Sequence, residues 1–172
     1  TQGVSSAASD VYKRQVPEGH PERPDRLTHL LRIMESEGML DDHPLLIPKP
    51  LSIDLIRKAH HPEHCAYLSR QTPDPIIQLD PDTWFSPHSL RAAHLAAGAV
   101  WDGVLDIIEE RCKRVFCAVR PPGHHAEINS AMGFCLLNSV AISAINSLDL
   151  EQIDRVAILD FDVHHLSLIH IS

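Results

Sequence analysis

Asp160-Phe161-Asp162-Val163-His164-His165 closes an apolar run, and Pro121-Pro122-Gly123-His124-His125-Ala126-Glu127 stands upstream of it. Carboxylates and imidazoles at this density suit a metal ion that activates water, with a histidine pair alongside to carry protons. Asp oxygen and His nitrogen are good donors for Zn²⁺, whose catalytic sites take three protein ligands and leave one position for water or substrate. Asp162 and His164 supply two, and no third is evident elsewhere in the chain. The competing reading is local: a single Asp or His at a strand end usually bonds nearby backbone as a turn or cap residue. Two such strings in one chain favour the metal.

These groups need elements to position them. Arg155 to Phe161 (RVAILDF) is short and rich in branched apolar residues, which predicts a buried parallel strand. Strand alternation then puts Asp160, Asp162 and His164 on one side. Carboxylates at the end of a buried strand must neutralise, pair or bind a cation. Arg114 to Val119 (RVFCAV) is a second such run, ended by Pro121-Pro122-Gly123, and Phe134 to Leu148 has the spacing of a largely buried helix. Residues 114–161 thus read as a right-handed βαβ unit with parallel strands. Sites in such sheets collect beyond the carboxyl ends of the strands, which brings His124, His125, Asp162 and His164 to one edge.

Adjacent histidines divide labour. Two imidazolium rings about 4 Å apart repel by roughly 4 kcal/mol at an effective dielectric near 20, or about three pK units. The pair therefore titrates in separate steps and offers an acid and a base from one residue type. Asp160, if it touches one ring, favours charge there.

The rest of the chain reads as supporting helix. Pro24 to Glu37 places Leu27, Leu30, Leu31 and Met34 at helical spacing before Gly38. Ser52 is positioned to cap Ile53 to Ala59, and Pro62 to open a further short helix. Between Ser86 and Glu110, a stripe from Leu90 through Ala93, Ala97, Trp101 and Leu105 to Ile108 is amphipathic. Gly19 to Arg26 reads as a solvated loop, with substrate contact by His20, Glu22 or Arg23 as the other reading.

With 172 residues the chain suits one globular domain, burying roughly 70% of its unfolded surface. A formal charge of −8 argues against direct nucleic-acid binding, which needs clustered Lys and Arg. No apolar run approaches a membrane span, and no signal-peptide core is present. Four cysteines without a C-x-x-C pair read as reduced thiols, which predicts a cytoplasmic protein, and Cys135 reads as helix core. Of the thirteen histidines, His29, His43, His60, His61, His64, His88 and His94 show no ligand spacing and read as surface or loop residues.

Arg120 to Glu127 (RPPGHHAE), Met132 to Asn138 (MGFCLLN) and Arg155 to His165 (RVAILDFDVHH) together resemble the zinc-dependent histone deacetylase and acetylpolyamine amidohydrolase family. Gly19 to Leu27 (GHPERPDRL) and Leu79 to Ser86 (LDPDTWFS) are similar to segments of its class II and bacterial branch. The resemblance covers residues 16–165 and implies an α/β fold of arginase/deacetylase type, a parallel sheet flanked by helices, cut off after the first metal-ligand strand. It implies Asp162 and His164 as zinc ligands, His124 and His125 as the tandem catalytic histidines, and Asp160 as the carboxylate supporting the first of them. Asp160, Asp162 and His164 would also belong to a structural monovalent-cation site, usually potassium. Gly133 and Phe134 would shape a narrow channel for an acyl-lysine side chain, and Asp80 or Asp82 matches a rim position. Acyl-lysine proteins or acetylpolyamines are the implied substrates.

Family members continue past the second His into a Gly-containing turn, whereas here Leu166 to Ser172 follows, and the family's third ligand and oxyanion-stabilising Tyr or His are absent. Residues 1–15 and 166–172 are accordingly expected to be a foreign or disordered leader and a foreign tail, and the chain itself to be an inactive fragment. A non-catalytic acyl-lysine binder is the alternative. A manganese ureohydrolase of the arginase fold is a lesser one, since its ligand strings run Asp-x-His-x-Asp.

Overall fold

The computed structural model describes residues 2–5, 16–41, 43 and 45–164. His165 and the tail at 166–172 lie outside the described residues. So do residues 1 and 6–15 of the stretch read as a leader.

A parallel sheet of order β2 (Leu45–Leu46), β1 (Gln2–Ser5) and β5 (Arg114–Cys117) provides the edge from which the histidine-bearing loop leaves. In register, Val4 lies opposite Leu45 on one side and Phe116 on the other. Gln2–Ser5 has too short an apolar pattern to signal a strand, yet its backbone groups pair with β2 on one side and β5 on the other. A separate antiparallel hairpin joins β3 (Ile77–Asp80) to β4 (Thr83–Phe85), with a register shift between Gln78 and Asp80.

Helix α1 (Pro24–Ser36) starts on a proline and stops ahead of Gly38, which has φ +68° as a helix terminator should. α2 (Ile53–Ile56) is shorter than expected and gives way to turns over 57–59, while Pro62 holds His61 extended and α3 (Pro62–Arg70) begins there. α4 (Ser89–Ile108) lies between two apolar clusters: Ala93 and Ala97 join Ile56, Leu68, Phe85, Leu136 and Ile142, while Leu95 joins Leu27 and Met34. Its first half is therefore buried over most of its circumference, leaving Arg91 exposed and Leu90 and His94 partly so.

Two expectations fail around the site. α5 is Ser139–Ser147, not a helix from Phe134, because Gly133 (φ +55°) and Phe134 (φ +69°) are both left-handed and turn the chain before it. Cys135 consequently sits in a loop, fully buried, with its Sγ against the Gly133 carbonyl. Second, Arg155 to Phe161 forms no strand among the described residues. It follows a turn after α5 with Leu159 86% and Phe161 92% exposed, so the sequence of a buried strand is present without a neighbouring strand to pair with. Among the described residues no helix is long and apolar enough to cross a membrane.

Candidate active site

The loop between β5 and α5, residues 118–138, carries His124, His125, Gly133 and Phe134. Its start is pinned by Arg120, whose guanidinium pairs with the Glu22 carboxylate, both side chains being almost fully buried. This answers the question left by residues 19–26. Glu22 belongs to an internal ion pair and is not presented to a substrate.

His124 and His125 lie with ring centroids 4.1 Å apart and planes inclined at 40°. His124 Nδ1 meets Asp160 Oδ2 at 3.0 Å; a carboxylate only accepts, so the ring donates. Burial and then the neighbouring His124 hold His125 below the usual imidazole range, and Asp162 and Asp160 oppose that shift. Gly133 approaches the His125 ring so closely that a Cβ would fall 2.6 Å from its carbons. Only glycine fits between loop and imidazole.

Phe134 stands beside this glycine, and the hairpin holds both: Gly133 N–H donates to Asp82 Oδ1 at 3.1 Å and Phe134 N–H to Thr83 Oγ1 at 3.0 Å. Partial burial and the neighbouring Asp80 carboxyl push Asp82 above the usual carboxylate range. His20 packs edge-on to Phe134 at 4.9 Å and 76°. Its Nδ1 accepts from Glu22 N–H, which leaves Nε2 to donate to the Asp82 carbonyl at 3.3 Å. A cleft of about 340 Å³ opens between Gly123–His124 and the stretch from Ile158 to Asp162.

Asp162 and His164 are less confined. The Asp162 side chain is 52% and the His164 side chain 83% exposed, with Nδ1 of His164 3.7 Å from Asp162 Oδ1. Both carboxylates also serve local backbone: Asp162 N–H donates to Asp160 Oδ1 and His164 N–H to Asp162 Oδ1. The latter bond holds the Asp162 carboxyl below its usual range. The donors are of the right type for zinc. Among the described residues, however, no three His, Cys, Asp or Glu side chains converge to hold an ion, so the set is incomplete in number.

Three residues escaped sequence reading. His60 and His64 were placed among surface histidines, but both are buried, 2% and 3% exposed, and they face the site loop. Asn138, 1% exposed, accepts from Ala141 N–H as the N-cap of α5 and also donates to the Ala126 carbonyl at 3.0 Å. A helix cap at Asn138 was readable from an Asn before an apolar run; the histidines gave no periodic signal, because their partners lie more than seventy residues away in sequence.

The histone deacetylase domain family matches residues 20–166. The chain belongs to the histone deacetylase family. It is 40% identical over 164 residues to the uncharacterized protein slr0245 of Synechocystis sp., covering 92% of this chain and 53% of that protein. It is 37% identical over 147 residues to histone deacetylase 15 of Arabidopsis thaliana, covering 85% and 26%. The crystal structure of the HDA15 HD domain superposes with a TM-score of 0.81 at 30% identity, over 87% of this chain and 43% of that one. The fold is thus that of the arginase/deacetylase class, and the chain spans about half or less of the length of these relatives.

Proposed function

We propose that this deacetylase domain belongs to a zinc-dependent amidohydrolase that removes acetyl or related acyl groups from acyl-lysine or acetylpolyamine amines. The observation that carries the reading is the His124–His125 pair, with one ring donating to Asp160 and the other held below the usual imidazole range by burial and by its neighbour. His125 is suited to take a proton from water, and a histidine then protonates the leaving amine. Gly133 and Phe134 supply the wall along which an acyl-lysine side chain lies. Asp162 and His164 are two zinc ligands, to be completed by a ligand from beyond the described residues. Zinc, when bound, supplies Lewis acidity and lowers the pKa of water from 15.7 to about 7. Potassium at Asp160, Asp162 and His164 is the proposed structural ion, and a reducing cytoplasmic setting is proposed with it, supported by cysteines that form no disulfide among the described residues.

The test uses the protein obtained by reading the parent gene through, assayed on an acetyl-lysine peptide and an acetylpolyamine. Chelation is expected to abolish turnover, and His125→Ala to lower kcat/KM about 10²–10⁴-fold. Full activity in both preparations overturns the reading. The two-ligand set favours a second reading for the chain alone, that of a non-catalytic fragment. Zinc titration decides it, with binding expected far weaker than the roughly 10–16 kcal/mol of complete structural sites.

A further inference from the structure

Asn138 divides its polar groups: Oδ1 caps α5, Nδ2 holds the site loop, and its N–H ties the end of that loop to His60. Its N–H donates to His60 Nε2 at 2.9 Å, and Oδ1 accepts from Ala141 N–H at 3.0 Å. Nδ2 donates to the carbonyls of Ala126 at 3.0 Å and His124 at 3.5 Å. The corner between α2 and α3 adds two further bonds to the same loop: His61 N–H to the Ile128 carbonyl at 2.8 Å, and His64 Nε2 to the Leu136 carbonyl at 3.0 Å. Since a carbonyl only accepts and an amide N–H only donates, His64 carries its proton on Nε2 and His60 on Nδ1. Two buried rings 5.1 Å apart thus hold opposite tautomers, each fixed by the loop backbone.

We propose that Asn138, set in place by His60, is a positioning residue that fixes the carbonyls of His124 and Ala126 and so aims the His124 imidazole at Asp160. Capping alone does not account for this side chain. An N-cap needs only an acceptor oxygen, which Ser or Asp provides as well. The amide nitrogen of Asn138 points instead at the loop, and its two acceptors, the carbonyls of His124 and Ala126, flank His125. The inference deepens the reading of His124 and Asp160 as working partners and rests on it.

The test is long-range ¹H–¹⁵N spectroscopy of the full chain labelled on histidine, following the Nδ1–H of His124 that Asp160 holds, with His124→Gln for assignment. The unsubstituted chain is expected to show this proton as a low-field resonance. Asn138→Asp keeps the cap oxygen and loses the donor, so it is expected to lose the resonance while circular dichroism shows a folded chain. His60→Gln, whose carboxamide oxygen can accept from Asn138 N–H, is expected to keep the resonance, and His60→Phe to lose it. A folded Asn138→Asp that retains the signal overturns the inference, as does a His60→Phe that retains it. Should Asn138→Asp not fold, Asn138→Ser and the His60 pair are read by the same criterion. A signal missing from the unsubstituted chain sinks the Asp160–His124 reading itself. A signal present there but indifferent to Asn138 sinks only the positioning role.

Discussion

The loop at 118–138 and the segment at 154–164 meet at His124 and Asp160, but they are held by opposite means. The loop has its backbone bonded at Ile128, Leu136 and Asn138 to the α2–α3 corner, an internal ion pair at Arg120, and Leu136 in the core. The segment has apolar residues facing solvent, and its Asp160 carboxylate accepts a side-chain bond from His124 of the loop. Half of the site is therefore built by the packing of this chain. The other half carries the right residues without the sheet neighbour that would fix them.

Perturbing the loop should be costly, and perturbing the segment nearly free. The largest effect is expected from Arg120→Ala, which strands the buried Glu22 carboxylate and should remove about 3–5 kcal/mol in urea unfolding. Retained stability there would mean that Glu22 finds water and the loop is not anchored at its start. Leu136→Ala follows, at about 2–5 kcal/mol for a side chain with no exposed surface in the main cluster.

Acid supplies the third probe. Burial first, and then His64, lower the His60 pKa from 6.5 to about 4. The unfolded chain then binds a proton that the folded one refuses, so the stability present above pH 6.5 is lost as pH falls towards 4 and changes little from this group below that. The loss expected from His60 is about 3 kcal/mol, and His64, also lowered by burial, adds in the same direction. Chemical denaturation at a series of pH values in His60→Gln, compared with the unsubstituted chain, reads the difference; superimposable pH curves would remove His60 from the account. The smallest effects are expected in the segment, where Leu159→Ala and Phe161→Ala should each change stability by less than about 0.5 kcal/mol. A loss of core size at Phe161 would show that this stretch packs after all, erasing the contrast.

The same contrast explains what was legible in the sequence. The strand at Arg114–Cys117 and the helices α1, α3 and α4 followed from local pattern, because proline, glycine and apolar spacing act over a few residues. The histidine pair and the Asp-x-Asp-x-His string stood out by their density of polar side chains, and the fold brings His124 against both His125 and Asp160. What failed was whatever depends on distant partners. The expected strand at 155–161 required a neighbour, the start of α5 was displaced by two left-handed residues whose N–H groups answer to the hairpin, and β1 gains its order from the strands on either side. His60 and His64 were misread for the same reason: hydrogen bonds across the fold leave no spacing to find.

The successive left-handed residues Gly133 and Phe134 have one more consequence. By aiming both of their N–H groups at Asp82 and Thr83, they suspend Phe134 from a β-turn some fifty residues upstream. The position of the Phe134 ring is then inherited from the tilt of that hairpin. Width beside the imidazoles and posture of β3–β4 become a single mechanical coordinate, adjustable by substitutions that never touch the histidines.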